Sequence, residues 1–245
     1  DITLPGKQEE LLKLLHATGK PIVLVLTGGS ALAIPWAKQN IPAIIMSWYG
    51  GEEAGTALAE VIFGDYCPAG RLPVTFYRSI DQLPPFEDYR MKGRTYRYFT
   101  GEPLWPFGFG LSYTKFQYSN LKLSAETIKP GENLTVSATV KNIGNRTGDE
   151  VVQLYISDIE ATYPHPIRSL AGFKRIRLAA GESQTISFTI TPKQMCIFDD
   201  AGQAIIEPGE FGISIGGGQP IAPTDQQSYV SGKVLVVGEP TKIKT

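Results

Sequence analysis

The stretch Ser47–Pro73, which begins as the run Ala43–Met46 ends, constrains this chain more than any other. Ala43-Ile44-Ile45-Met46 is a short apolar, partly β-branched run, the pattern of a strand buried on both faces. Ser47-Trp48-Tyr49-Gly50-Gly51 follows, and its paired glycines predict a sharp turn. Glu52 and Glu53 fall in the first turn of the helix expected next, where the helix dipole favours negative charge. Ala54, Leu58, Val61 and Ile62 recur at i, i+4, i+7 and i+8, giving that helix one apolar stripe. Gly64 closes it, and Pro68, Gly70 and Pro73 prevent a simple continuation. Strand, glycine turn, helix and hard stop make half of a βαβ layer.

The residues upstream repeat the theme. Lys7–Ala17 carries Leu11, Leu12, Leu14 and Leu15 on a predicted helix, with Gly19 as its C-cap and His16 in its last turn. Ile22–Leu26 reads as an interior parallel strand, and Thr27-Gly28-Gly29-Ser30 turns into a second helix from Ala31 to about Asn40. This alternation predicts a parallel sheet layered by helices. Two or three strands make an incomplete sheet, so further strands are expected upstream. Ligands of such sheets sit outside the carboxyl ends of the strands, here Thr27–Ser30 and Ser47–Gly51. Thr-Gly-Gly-Ser has neither the dinucleotide fingerprint nor the Lys-Ser/Thr of a phosphate loop.

Beyond Leu72 the texture changes to prolines, aromatics and short segments. Leu72–Tyr77 reads as an edge strand, Leu83–Tyr89 as an extended loop, and Arg94–Phe99 alternates. From Phe116 the pattern is all-β: runs at 133–140, 151–156, 169–178, 185–190, 209–215 and 233–237. Turns such as Lys129-Pro130-Gly131-Glu132 and Glu207-Pro208-Gly209 separate them at sandwich spacing. The fold class expected is therefore a layered α/β segment with a partly parallel, flavodoxin-like sheet over residues 1–76. A connector over 77–115 leads to an all-β, immunoglobulin-like or fibronectin III-like sandwich over 116–245.

Composition narrows the function. A net charge of −1 gives no electrostatic reason to expect nucleic acid or an anionic membrane as partner. No apolar run approaches the length of a membrane span. Cys67 and Cys196 lie far apart, neither a disulfide framework nor a metal spacing, and both read as ordinary semi-buried thiols. His16 and His165 leave little for imidazole catalysis or a zinc site, so neither a cofactor nor a metal is expected. The start at Asp1 shows no secretory pattern and reads as a processed or partial polypeptide.

Several separated motifs carry a family resemblance. Glu53-Ala54-Gly55 with Phe63-Gly64-Asp65, Pro68–Thr75, and Phe107-Gly108-Phe109-Gly110-Leu111-Ser112-Tyr113-Thr114 resemble the C-terminal half of glycoside hydrolase family 3. Val152-Gln153-Leu154-Tyr155 and Leu170-Ala171-Gly172-Phe173 resemble its fibronectin type III-like domain. Gly93–Tyr98 is similar to the branch that includes β-xylosidases as well as β-glucosidases, and Cys67 departs from the asparagine common at its turn. The resemblance implies an exo-acting retaining β-glycosidase that removes terminal β-D-glycosyl residues from β-linked oligosaccharides. The localisation is left open, with a periplasmic or secreted setting expected ahead of a cytoplasmic one. Retaining chemistry needs two carboxyl groups about 5–5.5 Å apart. In this family the aspartate nucleophile lies in an N-terminal (β/α)8 barrel. The acid/base glutamate precedes the Leu4-Pro5-Gly6-Lys7-Gln8 motif. No catalytic residue is therefore expected here, and the barrel, on the same precursor or another chain, is the expected partner. A homo-oligomer is left open.

The tempting carboxylates have simpler explanations. Glu52 and Glu53 are helix neighbours that point apart and cannot flank one bond. Asp65 with Arg71 reads as a structural ion pair, and Glu87-Asp88-Tyr89 as a solvated loop. Trp48, Tyr49 and Glu52, at the strand end, are the candidate substrate contacts, with a packing role for at least one of the two aromatics as the equal alternative. Two rivals remain: a non-catalytic carbohydrate-binding or scaffolding module, and a nucleotide binder using Thr27–Ser30.

Overall fold

The computed structural model describes residues 1–221 and 228–243. The chain divides into two compact units, one of residues 1–66, 73–95 and 99–107, the other of 67–72, 96–98 and 108–245.

The first unit is a thin α/β layer. It runs α1 (Gln8–Ala17), β1 (Val23–Leu26), α2 (Pro35–Asn40), β2 (Ala43–Met46) and α3 (Ala54–Phe63). β1 and β2 pair in parallel from Val23↔Ala43 to Leu26↔Met46, and they form a two-stranded sheet. The strands are therefore only half-buried rather than enclosed on both faces. Its core gathers Leu12, Leu26, Ile34, Ile41, Phe76 and Leu104. The helices keep much of their apolar surface in solvent: Leu14 is 64% and Phe63 81% exposed, and Leu11, Leu15 and Ile62 are exposed as well.

Three expectations change here. The second helix begins at Pro35, not Ala31, because the residue before a proline is driven out of helical geometry; Ile34 sits at φ −128°, ψ 54°. Ala33 is held instead by a hydrogen bond from its N–H to the Ile2 carbonyl at 2.8 Å. α3 starts at Ala54, so Glu52 and Glu53 precede it, and the Glu53 carbonyl accepts the Ala57 N–H at 2.9 Å. Leu72–Tyr77 is no regular strand: Pro73 lacks a donor, and the segment makes one isolated bridge, Phe76 to Trp105. Gly64 closes α3 in the left-handed region at φ 84°, as its position in the sequence requires. The alternating run at 94–99 yields one helical turn, α4 (Thr95–Tyr98).

The second unit is a β-sandwich. Its strands are β3 (Phe116–Leu123), β4 (Thr127–Ile128), β5 (Leu134–Asn142), β6 (Gly148–Asp158), β7 (Ser169–Leu178) and β8 (Ser183–Ile190). After α5 (Pro192–Met195) come β9 (Ile197–Phe198), β10 (Ala204–Ile206), β11 (Gly209–Gly216), β12 (Tyr229–Val236) and β13 (Thr241–Lys242). A five-stranded sheet in the order β4-β12-β11-β6-β7 faces a three-stranded sheet β3-β5-β8, and β13-β10-β9 forms a small third sheet. Period-two alternation explains the core: Leu134, Val136, Ala138 and Val140 of β5 are fully buried, and Ile186, Phe188 and Ile190 of β8 join them. A capping box at Thr191 and Gln194 starts α5.

Candidate functional site

The carboxyl ends of β1 and β2 build the candidate site. Parallel register delivers Thr27 and Ser47 side by side, with their hydroxyl oxygens 3.1 Å apart. Ser47 is anchored twice on the Leu26 carbonyl, by its N–H at 2.9 Å and its hydroxyl at 3.0 Å. Trp48 then adopts a left-handed backbone, φ 55°, which few large residues tolerate. Its ring meets Phe76 edge-on at 6.2 Å, and Phe76 meets Trp105 in the same way at 6.0 Å. Trp48 is thus tied into packing while its neighbour is not. Tyr49 is 77% exposed, and its ring lies over the glycine turn after β1: a Cβ on Gly29 would come within 2.9 Å of it.

Glu52 lies on the exposed turn between Gly51 and α3. Gly50 makes that turn feasible, since a Cβ there would sit 2.3 Å from the Ala54 Cβ. The three predicted site residues therefore share one end of the α/β layer, with Tyr49 and Glu52 in solvent and Trp48 half-buried. The Thr27–Ser30 turn does not run directly into a helix, because α2 begins five residues later at Pro35. The helix N-terminus on which phosphate binding depends is absent from that turn.

The other charged residues separate in the same way. Arg71 pairs with Glu150 at 2.9 Å, not with Asp65, and both side chains are buried at 9% and 4% exposure. This is a correction to the Asp65–Arg71 pairing. Glu150 lies on β6, 79 residues downstream, and no local spacing points to it. Burial pushes the Glu150 carboxyl up, and the Arg71 guanidinium opposes the shift. In the loop at 87–89, Asp88 holds Arg90 through two side-chain hydrogen bonds at 2.9 and 2.7 Å, which keeps its carboxyl well below the usual range. Cys67 and Cys196 are free thiols, one buried and one partly so. Among the described residues, no group of three or more His, Cys, Asp or Glu side chains is placed to hold a metal ion.

Residues 1–113 match the glycosyl hydrolase family 3 C-terminal domain, and residues 150–219 match a fibronectin type III-like domain. The chain carries a glycosyl hydrolase family 3 C-terminal domain. A β-xylosidase of Formosa agariphila is 43% identical over 221 residues, covering 88% of this chain and 31% of that protein. A periplasmic β-glucosidase of Salmonella typhimurium is 40% identical over 228 residues, covering 88% of this chain and 30% of that protein. Among solved structures, a β-glucosidase of Erythrobacter marinus superposes with a TM-score of 0.83 at 37% identity, over 96% of this chain and 31% of that one. The chain thus spans about a third of the length of the relatives it matches, and it carries their C-terminal α/β and fibronectin-like regions.

Proposed function

We propose that this chain is the C-terminal portion of an exo-acting retaining β-glycosidase, a β-glucosidase or β-xylosidase acting on terminal non-reducing residues of β-linked oligosaccharides. The nucleophile and the acid/base are assigned to polypeptide outside the chain, the nucleophile on a (β/α)8 barrel. One observation carries this reading: nine-tenths of the chain aligns with enzymes three times as long, while its α/β layer has two strands and helices whose leucines face solvent. A layer of that kind needs more polypeptide to bury its apolar faces.

In this reading Tyr49, Glu52 and Trp48 form one wall of the sugar site. The Tyr49 ring offers an apolar face to a pyranose, and the Glu52 carboxylate accepts sugar hydroxyls. Trp48, clamped against Phe76, fixes where Tyr49 projects. The name of the Salmonella relative supports an extracytoplasmic setting.

The 245-residue chain alone is expected to give no turnover of aryl β-glucoside or aryl β-xyloside above the uncatalysed rate. Hydrolysis should return when the preceding part of the precursor is co-expressed with it, and Tyr49→Ala in that complete enzyme should raise KM. Turnover by the isolated chain would place both carboxyl groups within it and overturn the reading.

A further inference from the structure

The fibronectin-like unit has its own cleft, of about 320 Å³, at the end of β6 beside α5 and β9. Asp158, His165, Ser169, Lys193 and Phe198 line it, with Tyr96 at one side. The Tyr96 hydroxyl accepts the Leu170 N–H at 3.0 Å, and the Arg97 carbonyl accepts the Ile167 N–H at 2.7 Å, so the wall at 165–170 is pinned in place.

The polar groups of this cleft have hydrogen-bonding capacity left over. One Asp158 oxygen accepts the Glu160 N–H at 3.3 Å, whereas the other is buried with no partner among the described residues. A buried acceptor without a donor is costly and calls for an explanation. His165 lies 2.9 Å from the Tyr163 carbonyl through Nδ1. A carbonyl only accepts, so Nδ1 donates there and Nε2 is the ring nitrogen left for a ligand. Lys193 adds an ammonium donor, and Phe198 adds an aromatic ring that is 57% exposed.

Interleaved acceptors and donors around an exposed ring select a neutral, polyhydroxylated ligand. Phosphate would meet the Asp158 carboxylate, and an aliphatic ligand would strand the polar groups. The volume is at the low end for ligand pockets, enough for one or two sugar rings rather than a long glycan. We propose that this cleft is an auxiliary carbohydrate site, in which a pyranose stacks on Phe198 and its hydroxyls bond Asp158, His165 and Lys193. The choice of β-linked glucose or xylose units rests on the function proposed above; the site itself does not.

The test is amide NMR of the 245-residue chain titrated with cellobiose, xylobiose and, separately, inorganic phosphate. Saturable shifts at His165, Lys193 and Phe198 are expected at millimolar sugar, the range of a contact worth about −4 kcal/mol. Phe198→Ala should weaken them about fivefold, the usual worth of one aromatic stack, while the remaining spectrum keeps its dispersion. Lys193→Ala, at an exposed position, should weaken them with no effect on folding. Three results would each overturn the site: no saturable shift there, unchanged affinity in both variants, or equal shifts with phosphate. Shifts confined to Tyr49 and Glu52 would sink this site while leaving the glycosidase reading intact. Turnover by the isolated chain would do the reverse.

Discussion

Arg71 and Glu150 show what a single residue contributes in this chain. Besides its carboxylate partner, Arg71 donates to the Gly217, Ala69 and Gly70 carbonyls at 3.2, 3.2 and 3.0 Å. All three guanidinium nitrogens donate, within a site that is almost dry. Removing one member of such a pair leaves an uncompensated buried charge, which costs about 3–5 kcal/mol. Arg71→Met is therefore expected to lower the urea midpoint of the sandwich strongly. Arg71→Met combined with Glu150→Leu should recover most of the loss, since the second charge is gone as well. A double variant no more stable than the single one would show that the carbonyl contacts, not the ion pair, hold this segment. The exposed pair of Lys13 with Glu9 is the contrast: at 47% and 37% exposure its removal should change stability by less than about 1 kcal/mol.

Among the elements, the turn between β2 and α3 is the one most tightly specified. Gly50 and Gly51 look alike in sequence, but their surroundings differ. A Cβ on Gly50 would sit 2.3 Å from Ala54, whereas one on Gly51 meets nothing within 4 Å. Gly50→Ala is expected to destabilise the α/β layer by about 1–3 kcal/mol, the usual cost of forced overpacking. Gly51→Ala should fall within about 0.5 kcal/mol of the wild type. Far-UV circular dichroism melts of the two variants make the comparison, and equal losses would mean the clash at Ala54 is not what places α3. Tyr49 and Glu52 flank this turn, so Gly50→Ala in the complete enzyme should also raise KM.

For the whole molecule, the buried tyrosines set an alkaline limit. Burial raises the phenols of Tyr77, Tyr118 and Tyr155, and the Tyr155 hydroxyl donates to the Gln153 side chain at 2.7 Å. A phenol whose value is raised on folding contributes stability that is complete below its unfolded value, near pH 10, and is lost as pH climbs beyond it. Stability should thus fall above about pH 10, with part of the phenolate absorbance appearing only as the chain unfolds. A full, smooth phenolate titration with the fold still intact would contradict this.

Local chemistry was enough to write much of this protein. Alternation placed β5 and its buried face, β-branched runs placed β1 and β2, and Gly64 marked the end of α3. The family motifs are short segments whose order survives in one dimension, so they too were legible. The starts of α2 and α3 were not: Pro35 pushed Ile34 out of the helix, and Glu52 and Glu53 stayed ahead of α3 in the glycine turn. Only tertiary structure could pair Arg71 with Glu150, commit Trp48 to packing while leaving Tyr49 free, or gather Asp158, His165 and Phe198 around one cleft. Most of those partners are separated by tens of residues, and propensity and periodicity act over a few residues; which distant groups meet is decided when the layers pack.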